Sequence, residues 1–272
     1  LISTLGCFVY AFVRYPELRL RREDWRITRH DISRHLTQGV PLGLQFSVLA
    51  VGIIVMQSVV VQFDMLGGRM ISNAAQNGFG AANRLNGLLM TPLNGLGTAM
   101  TSFTAQNLGA GSPERIRRGA LQALGMASIL CLLSACAGAL LARGSAYLYL
   151  FLSADKVTQE TVRYGNTFLT VDLSLYLFLG FIFVMRNCVQ GIGRPQFVLG
   201  AGAAELCARV SLCLLLPPAL SGGAVSAAAP HAAFYALCAA DPFAWIAADA
   251  VLLVPFVRNI LRMDYPYLRG PA

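Results

Sequence analysis

Two long stretches of the chain contain no charged residue, residues 38–63 and residues 120–142. A helix needs about 20 apolar residues to cross the hydrocarbon core of a bilayer, so each stretch is long enough to do so. Charged residues make up only 12% of the 272 positions, whereas about 25% is typical of soluble domains. The sequence therefore predicts a membrane protein rather than a soluble globular domain.

Further apolar segments predict additional membrane spans. Residues 164–185, 196–217 and 230–257 each carry one or two charges, and the more polar segment 83–104 supplies another span. The opening residues 1–13 are too short to cross a bilayer and are interpreted as the end of a truncated helix that began upstream. We predict an all-α, polytopic membrane helical bundle with about six full transmembrane helices after the truncated one.

The basic residues predict the orientation of these spans. Most of the 21 Lys and Arg residues lie in loops 14–36, 106–118 and 186–195 or near the C-terminus. An excess of Lys and Arg marks cytoplasmic loops, so we expect a multi-pass protein of the cell inner (plasma) membrane with a cytoplasmic C-terminus. Topology then accounts for the net charge of +8, and no nucleic-acid partner is expected.

The same pattern divides the chain into four regions. Residues 1–13 would end the truncated transmembrane helix, and residues 14–36 would form a basic amphipathic linker along the cytoplasmic surface of the lipid bilayer. Residues 37–260 would form a six-helix lobe, and residues 261–272 a cytoplasmic tail.

Segment 83–104 combines an apolar helical face with an uncharged polar face. At about 100° per residue, the polar side chains fall within an arc of roughly 160°. They are Asn83, Asn86, Thr91, Asn94, Thr98, Thr101, Ser102 and Thr104. Polar side chains can join helices within a bundle, but so many on one face exceed what packing requires. We predict that this polar stripe forms the wall of a water-filled cavity.

Ionisable residues inside membrane spans are functional candidates. Asp172 has no basic partner on its own helix, and two alternatives remain for it: an ion-coupling site or a hydrogen-bonded structural acid. Glu205 and Arg209 are four residues apart and would face the same side of a helix, which predicts a structural ion pair. Asp241 directly precedes Pro242 and is expected to cap a broken helix.

No pattern in the sequence indicates a metal, a cofactor or an enzyme. The seven Cys and three His residues lack the spacing of a ligand set. Neither H-E-x-x-H nor G-x-S-x-G occurs. We therefore expect no metal site, no bound cofactor and no covalent chemistry.

Three segments carry the most specific pattern in the chain: "HDISRHLTQGVPLGLQFSVLAVGIIVMQ", "GAANRLNGLLMTPLNGLGTAMTSFTAQNLGAGSPERIRRG" and "MRNCVQGIGRPQFVLGAGAAELCARV". They resemble the multidrug and toxic compound extrusion (MATE) transporters of the MOP flippase superfamily. Their order is similar to the second half of that family, from the end of its sixth helix to its twelfth. The resemblance implies two six-helix lobes, a central cavity and alternating access. The missing N-terminal lobe of the same protein is then an expected partner, and the polar stripe would face a small-molecule substrate.

Two positions depart from a sodium-linked branch of that family. Leu49 stands about two turns after Pro41, where the branch carries a Glu. Leu179 stands near the position of the Asp in that branch, counted back from Gly191. The resemblance therefore implies that the sodium site of that branch is absent here, and it leaves the coupling ion open.

The prediction is a C-terminal lobe of a MATE-type secondary transporter. It would export amphipathic organic or cationic compounds, with transported H⁺ or Na⁺ as the coupling ion. The predicted cavity residues are Asn83, Asn86, Thr91, Asn94, Thr98, Thr101, Gln38 and Gln45. The alternatives are a lipid-linked saccharide flippase of the same superfamily, or a non-transporting half-lobe or channel-like membrane protein.

Overall fold

The computed structural model describes residues 2–16 and 28–263, and helices dominate both ranges. The helices are α1 (Ile2–Arg14), α2 (Arg29–Gln62), α3 (Ala74–Gly109), α4 (Pro113–Leu141), α5 (Gln159–Ser174), α6 (Tyr176–Gly191), α7 (Pro195–Ser221) and α8 (His231–Phe256). Two strands, β1 (Met65–Leu66) and β2 (Arg69–Met70), form an antiparallel hairpin between α2 and α3. Short helical turns cover Ala146–Leu150, Ala154–Lys156 and Val257–Leu261. The predicted all-α helical bundle is confirmed.

The chain divides into two compact units at Val40 and Pro41. The first unit contains α1, in which no residue is buried. Of the predicted linker at 14–36, residues 17–27 lie outside the described residues, and residues from Arg29 onwards are helical. Residues 264–272 of the predicted tail also lie outside them. The division into four regions therefore stays a prediction.

Helix α4 shows how the second unit distributes its side chains. Its buried residues are mostly small, and they follow one helical face: Ile116, Ala120, Ala123, Ala127, Cys131 and Gly138. Its large apolar residues point outward, among them Ile129, Leu132 and Leu133, each more than 60% exposed. Small residues allow membrane helices to approach closely, and large apolar side chains are stable against lipid. This arrangement is that of a bundle whose surroundings are hydrocarbon.

Four helices in the described residues are long and apolar enough to cross a membrane. They are α2, α4, α7 and the segment His231–Leu261, which extends α8. The pair α5 and α6 makes a fifth if the two together count as one span. Helix α3 is not among them, because its polar stripe lowers its hydropathy, but its 36 residues extend about 54 Å at 1.5 Å per residue.

The span predicted at 164–185 is not a single helix. It breaks at Leu175 into α5 and α6, which meet at a bend of 56°. The sequence has no Pro near the break, so no local signal marks the bend. A broken helix exposes backbone polar groups inside the bundle, which membrane proteins tolerate where protein surrounds the break.

Asp64 joins the hairpin to the start of α3. Its carboxylate accepts hydrogen bonds from the backbone amides of Ala75, at 3.0 Å, and Gln76, at 2.9 Å. The first amides of a helix have no partner within the helix, so a carboxylate at this point caps it and complements its dipole. Asp64 thereby fixes where α3 begins and the direction in which it enters the bundle.

Candidate functional site

Neighbouring helices divide the polar stripe of α3 into a buried edge and an open edge. Asn86 and Thr104 lie at one edge of the arc and are buried. Thr91, Asn94 and Thr98 lie toward the other edge and are exposed. Helix α3 packs against α4, α5 and α6, so the azimuth of each residue decides whether it meets a helix or open space. The stripe is therefore not one uniform wall.

The open edge faces a cavity of about 310 Å³ formed by α2, α3 and α6. The residues that line it are Leu42, Gln45, Phe46, Asn94, Thr98, Thr101, Ser102, Phe183, Arg186, Asn187 and Gln190. Four of the predicted cavity residues, Gln45, Asn94, Thr98 and Thr101, come together here. The lining contains amides, hydroxyls and one guanidinium, but no carboxylate.

Asn187 on α6 holds the middle of this wall in place. Its side-chain oxygen accepts a 2.7 Å hydrogen bond from the Thr101 hydroxyl, and its amide donates to the Phe183 carbonyl at 2.7 Å. The close approach depends on Gly97, because a β-carbon there would lie 2.5 Å from the Asn187 side-chain nitrogen. A glycine on α3 thus allows α6 to complete the polar wall.

The other predicted cavity residues lie elsewhere. Gln38 is exposed and belongs to the first compact unit. Asn83 is half-buried and does not line the cavity. Thr91 is exposed, and its hydroxyl donates to the Gly87 carbonyl of its own helix at 3.1 Å. Asn86 is buried against α5 instead.

Asp172 is fully buried and meets the inner edge of the stripe. Its Oδ2 accepts a 2.6 Å hydrogen bond from the side-chain amide of Asn86. Its Oδ1 has no hydrogen-bond partner in the described residues, and neither have the Asn86 oxygen or the Tyr176 hydroxyl. Two of these residues, Asp172 and Tyr176, flank the break between α5 and α6, and the third, Asn86, is hydrogen-bonded to Asp172. Buried polar atoms without partners are rare in folded proteins and are costly in the absence of a ligand or water.

A four-residue charge cluster connects α6, α7 and α8. Glu205 and Arg209 form the predicted ion pair, with Oε1 and Nη2 3.1 Å apart. The second oxygen of Glu205 lies 2.8 Å from Nη2 of Arg186, and Nε of Arg209 lies 2.5 Å from Oδ1 of Asp241. The two positive and two negative groups are all less than 20% exposed. Opposite charges in contact are how a bundle accommodates ionised side chains.

Two members of this charge cluster correct the sequence analysis. Arg186 was assigned to a cytoplasmic loop at 186–195, but it lies within α6, which continues to Gly191. Asp241 was expected to cap a broken helix, but α8 is continuous through Pro242, and Asp241 pairs with Arg209. Arg186 and Asp241 each pair with a residue on another helix, so no i, i+4 spacing in the sequence could reveal either pair. The sequence showed only that each is a charged residue in or beside a long apolar run.

No group of three or more His, Cys, Asp or Glu side chains within residues 2–16 and 28–263 is placed to hold a metal ion. Asp249 on α8 is buried, and within the same residues both of its carboxylate oxygens lack a hydrogen-bond partner. Asp249 was given no role from the sequence, because a single Asp in an apolar segment has no charged neighbour at a helical spacing that would predict a partner.

Comparison with known proteins gives consistent matches. The protein family described as MatE matches residues 48–215, which is more than half of the chain. The chain is 36% identical over 81 residues to a Bacillus subtilis (strain 168) protein named "Probable multidrug resistance protein YpnP", a match that covers 30% of this chain and 16% of that protein.

Solved structures match the fold over nearly the whole chain. One, titled "Crystal structure of MATE in the straight conformation", has a TM-score of 0.73 at 17% identity and matches 96% of this chain and 54% of that one. A second is titled "Reverse polarity of binding pocket suggests different function of a MOP superfamily transporter from Pyrococcus furiosus Vc1 (DSM3638)". It has a TM-score of 0.69 at 18% identity and matches 99% of this chain and 55% of that one. The chain thus spans about half the length of the structures that it resembles.

Proposed function

Because the chain belongs to the MatE family, we propose that it forms the C-terminal lobe of a secondary active efflux transporter. The transporter exports amphipathic organic compounds across the inner (plasma) membrane, with the C-terminus in the cytoplasm. The observation that carries this proposal is the cavity of about 310 Å³ on the open edge of α3. Ligand sites for small organic molecules are concave and combine apolar area with a few convergent polar groups, as this cavity does.

A second lobe completes the proposed cavity. The solved structures that share this fold are about twice as long as the chain, which supports the missing N-terminal lobe as the partner. The exposed face formed by Thr91, Asn94 and Thr98 supports the same arrangement. Transporters built from repeats bind substrate where the repeats meet, so this polar face belongs at that junction.

Asp172 is the proposed coupling site for H⁺ or Na⁺. No Lys, Arg or His nitrogen of the described residues forms an ion pair with it, and one of its oxygens has no hydrogen-bond partner there. A cation at this point would neutralise the carboxylate and provide a partner for that oxygen. The adjacent break between α5 and α6 supports the assignment, because discontinuous helices are typical of coupling-ion sites in transporters.

The experiment is a transport assay with inside-out membrane vesicles that contain the complete transporter, in which this lobe is joined to the N-terminal lobe. An imposed H⁺ or Na⁺ gradient should drive saturable accumulation of a fluorescent amphipathic dye, and an ionophore that collapses the gradient should abolish it. Vesicles from cells without the protein provide the control. Accumulation that neither saturates nor depends on a gradient would favour the channel-like alternative, and no accumulation would contradict the proposal.

The lipid-linked saccharide flippase is the alternative within the same superfamily. A pyrophosphate group carries more than one negative charge and needs several cationic groups at its site, and this cavity offers a single guanidinium, that of Arg186. The efflux proposal therefore fits the lining better.

A further inference from the structure

Arg186 belongs both to the cavity wall and to the buried charge cluster. Its side chain is 13% exposed and lines the cavity beside Asn187 and Gln190. Behind the wall, its Nη2 pairs with Oε2 of Glu205 at 2.8 Å. Arg186 is the one charged side chain among the lining residues, so it sets the electrostatic character of this part of the cavity.

The negative charge opposite Arg186 is shared with a second guanidinium. Glu205 uses its other oxygen for Arg209, and Arg209 has an additional partner in Asp241. Arg209 thus pairs with two carboxylates, whereas Arg186 pairs with one carboxylate, which it shares with Arg209. Asp249 is buried nearby on α8, but it forms neither a hydrogen bond nor an ion pair with Arg186. Arg186 therefore has fewer carboxylates in direct contact than Arg209, although the charge of Asp249 also acts on it.

Arg186 also retains hydrogen-bond donors. A guanidinium has five N–H groups in a planar fork, and the ion pair with Glu205 uses one nitrogen. The Nε of Arg186 is buried and out of a ligand's reach, whereas Nη1 is neither buried nor hydrogen-bonded in the described residues. A carboxylate on a ligand could approach the Nη1 side of the guanidinium without displacing Glu205, since charged hydrogen bonds between guanidinium and carboxylate groups are strong.

The neighbouring wall residues are suited to the same group. Asn94, Ser102 and Gln190 line the cavity with amide and hydroxyl donors. Asn187 is already satisfied by Thr101 and by the Phe183 carbonyl, so it positions the wall rather than offering a site. Since no carboxylate lines the cavity, a ligand cation would find only neutral oxygens there.

We propose that Arg186 binds a carboxylate on the transported compound, so that zwitterionic and anionic amphipathic molecules are preferred over purely cationic ones. This inference rests on the proposed function, because it assigns the substrate class of the same cavity. Arg186 is then the specificity-determining residue of this lobe, and Glu205 orients its guanidinium.

The test compares two probes that differ at one group, a xanthene dye with a free carboxylate and the uncharged methyl ester of that carboxylate. Binding of each is measured by fluorescence anisotropy with the complete two-lobe protein in lipid nanodiscs. Wild type should bind the free carboxylate about tenfold more tightly than the ester, the order expected of a hydrogen bond to a charged group. In Arg186→Gln the ratio of the ester's dissociation constant to that of the free carboxylate should fall toward one. Arg186→Lys should restore part of the preference for the carboxylate.

Two controls separate a local effect from loss of the fold. Arg84→Gln removes an exposed arginine of α3 that does not line the cavity, and it should leave the ratio unchanged. The double variant Arg186→Gln/Glu205→Gln removes both charges of the pair, so no carboxylate is left with only part of its counter-charge. It should lose the carboxylate preference just as Arg186→Gln does.

The outcomes are distinguishable. Equal binding of both dyes by wild type, or an unchanged ratio in Arg186→Gln and in the double variant, would overturn the carboxylate assignment and leave the efflux proposal standing. If neither dye bound and neither were transported, the efflux proposal itself would fail. A tighter complex with the ester would reverse the inferred preference.

Discussion

The side-chain amide of Asn86 on α3 donates a 2.6 Å hydrogen bond to the carboxylate of Asp172 on α5, although 86 residues separate the two in the chain. The buried edge of the polar stripe therefore lies against α5, close to the break between α5 and α6. It also places an amide from the helix with the polar stripe on the proposed coupling residue. A change in the charge of Asp172 would therefore act directly on α3.

The first prediction concerns Asp172. Asp172→Asn keeps the size of the side chain but removes its charge, so it should abolish gradient-driven dye accumulation in inside-out vesicles. Dye binding in nanodiscs should persist, because Asp172 does not line the cavity. Transport equal to that of wild type would show that Asp172 is a structural acid, which is the other alternative from the sequence.

The second prediction concerns the open edge of the stripe. Asn94→Leu and Thr98→Leu should each abolish efflux while leaving expression intact, because each replaces a polar wall group of the cavity with an apolar one. Ser58→Leu provides the control. Ser58 is exposed on α2 outside the cavity, and its hydroxyl bonds the carbonyl four residues earlier, as that of Thr98 does. Wild-type transport in both cavity variants would refute the cavity assignment.

The third prediction concerns the charge cluster. Glu205→Gln leaves two arginines without their shared carboxylate, and breaking a buried ion pair in this way costs about 3–5 kcal/mol of folding stability. The comparison is Glu114→Gln, whose pairs with Arg117 and Arg118 are exposed and contribute about 0–1 kcal/mol. Thermal unfolding in detergent should show a large decrease for the first variant and a small one for the second. Equal decreases in the unfolding temperature would mean that burial of the charge cluster does not increase its contribution to stability.

The fourth prediction concerns the contact of α3 with α6. Gly97→Ala places a β-carbon 2.5 Å from the Asn187 side-chain nitrogen, and overpacking of this kind costs about 1–3 kcal/mol. It should lower both thermal stability and dye binding, because Asn187 holds Thr101 in the wall.

Gly95→Ala is the matched control for that substitution. Gly95 lies two residues earlier on the same helix, and a β-carbon there would meet no atom within 4 Å. Since Ala favours a helix over Gly by about 0.8–1.0 kcal/mol, Gly95→Ala should be neutral or stabilising. If both variants behaved alike, helix propensity rather than the close approach would explain the result.

Local patterns predicted most of the elements but only part of the site. The helical period of α3 predicted that Asn94, Thr98 and Thr101 share a face, and they line the same cavity. The spacing of Glu205 and Arg209 predicted their ion pair. Asn187 was missed because one Asn in an apolar segment has no periodic signal. Arg186 was missed because its position near the end of an apolar run also fits a loop.

The sequence by itself determined that this chain is a polytopic helical bundle in a membrane. Its uncharged runs exceed 20 residues, and such runs are stable in hydrocarbon only when their backbone N–H and C=O groups hydrogen-bond to each other, as in a helix. It also determined that α3 has a polar face, since composition and helical period suffice for that. The tertiary structure decided which part of that face is buried and which is open, because helical period sets the direction of a side chain but not the neighbour that it meets. Packing of α5 and α6 turned Asn86 toward Asp172, left Asn94 and Thr98 open, and brought Arg186 from α6 and Asp241 from α8 to the pair on α7.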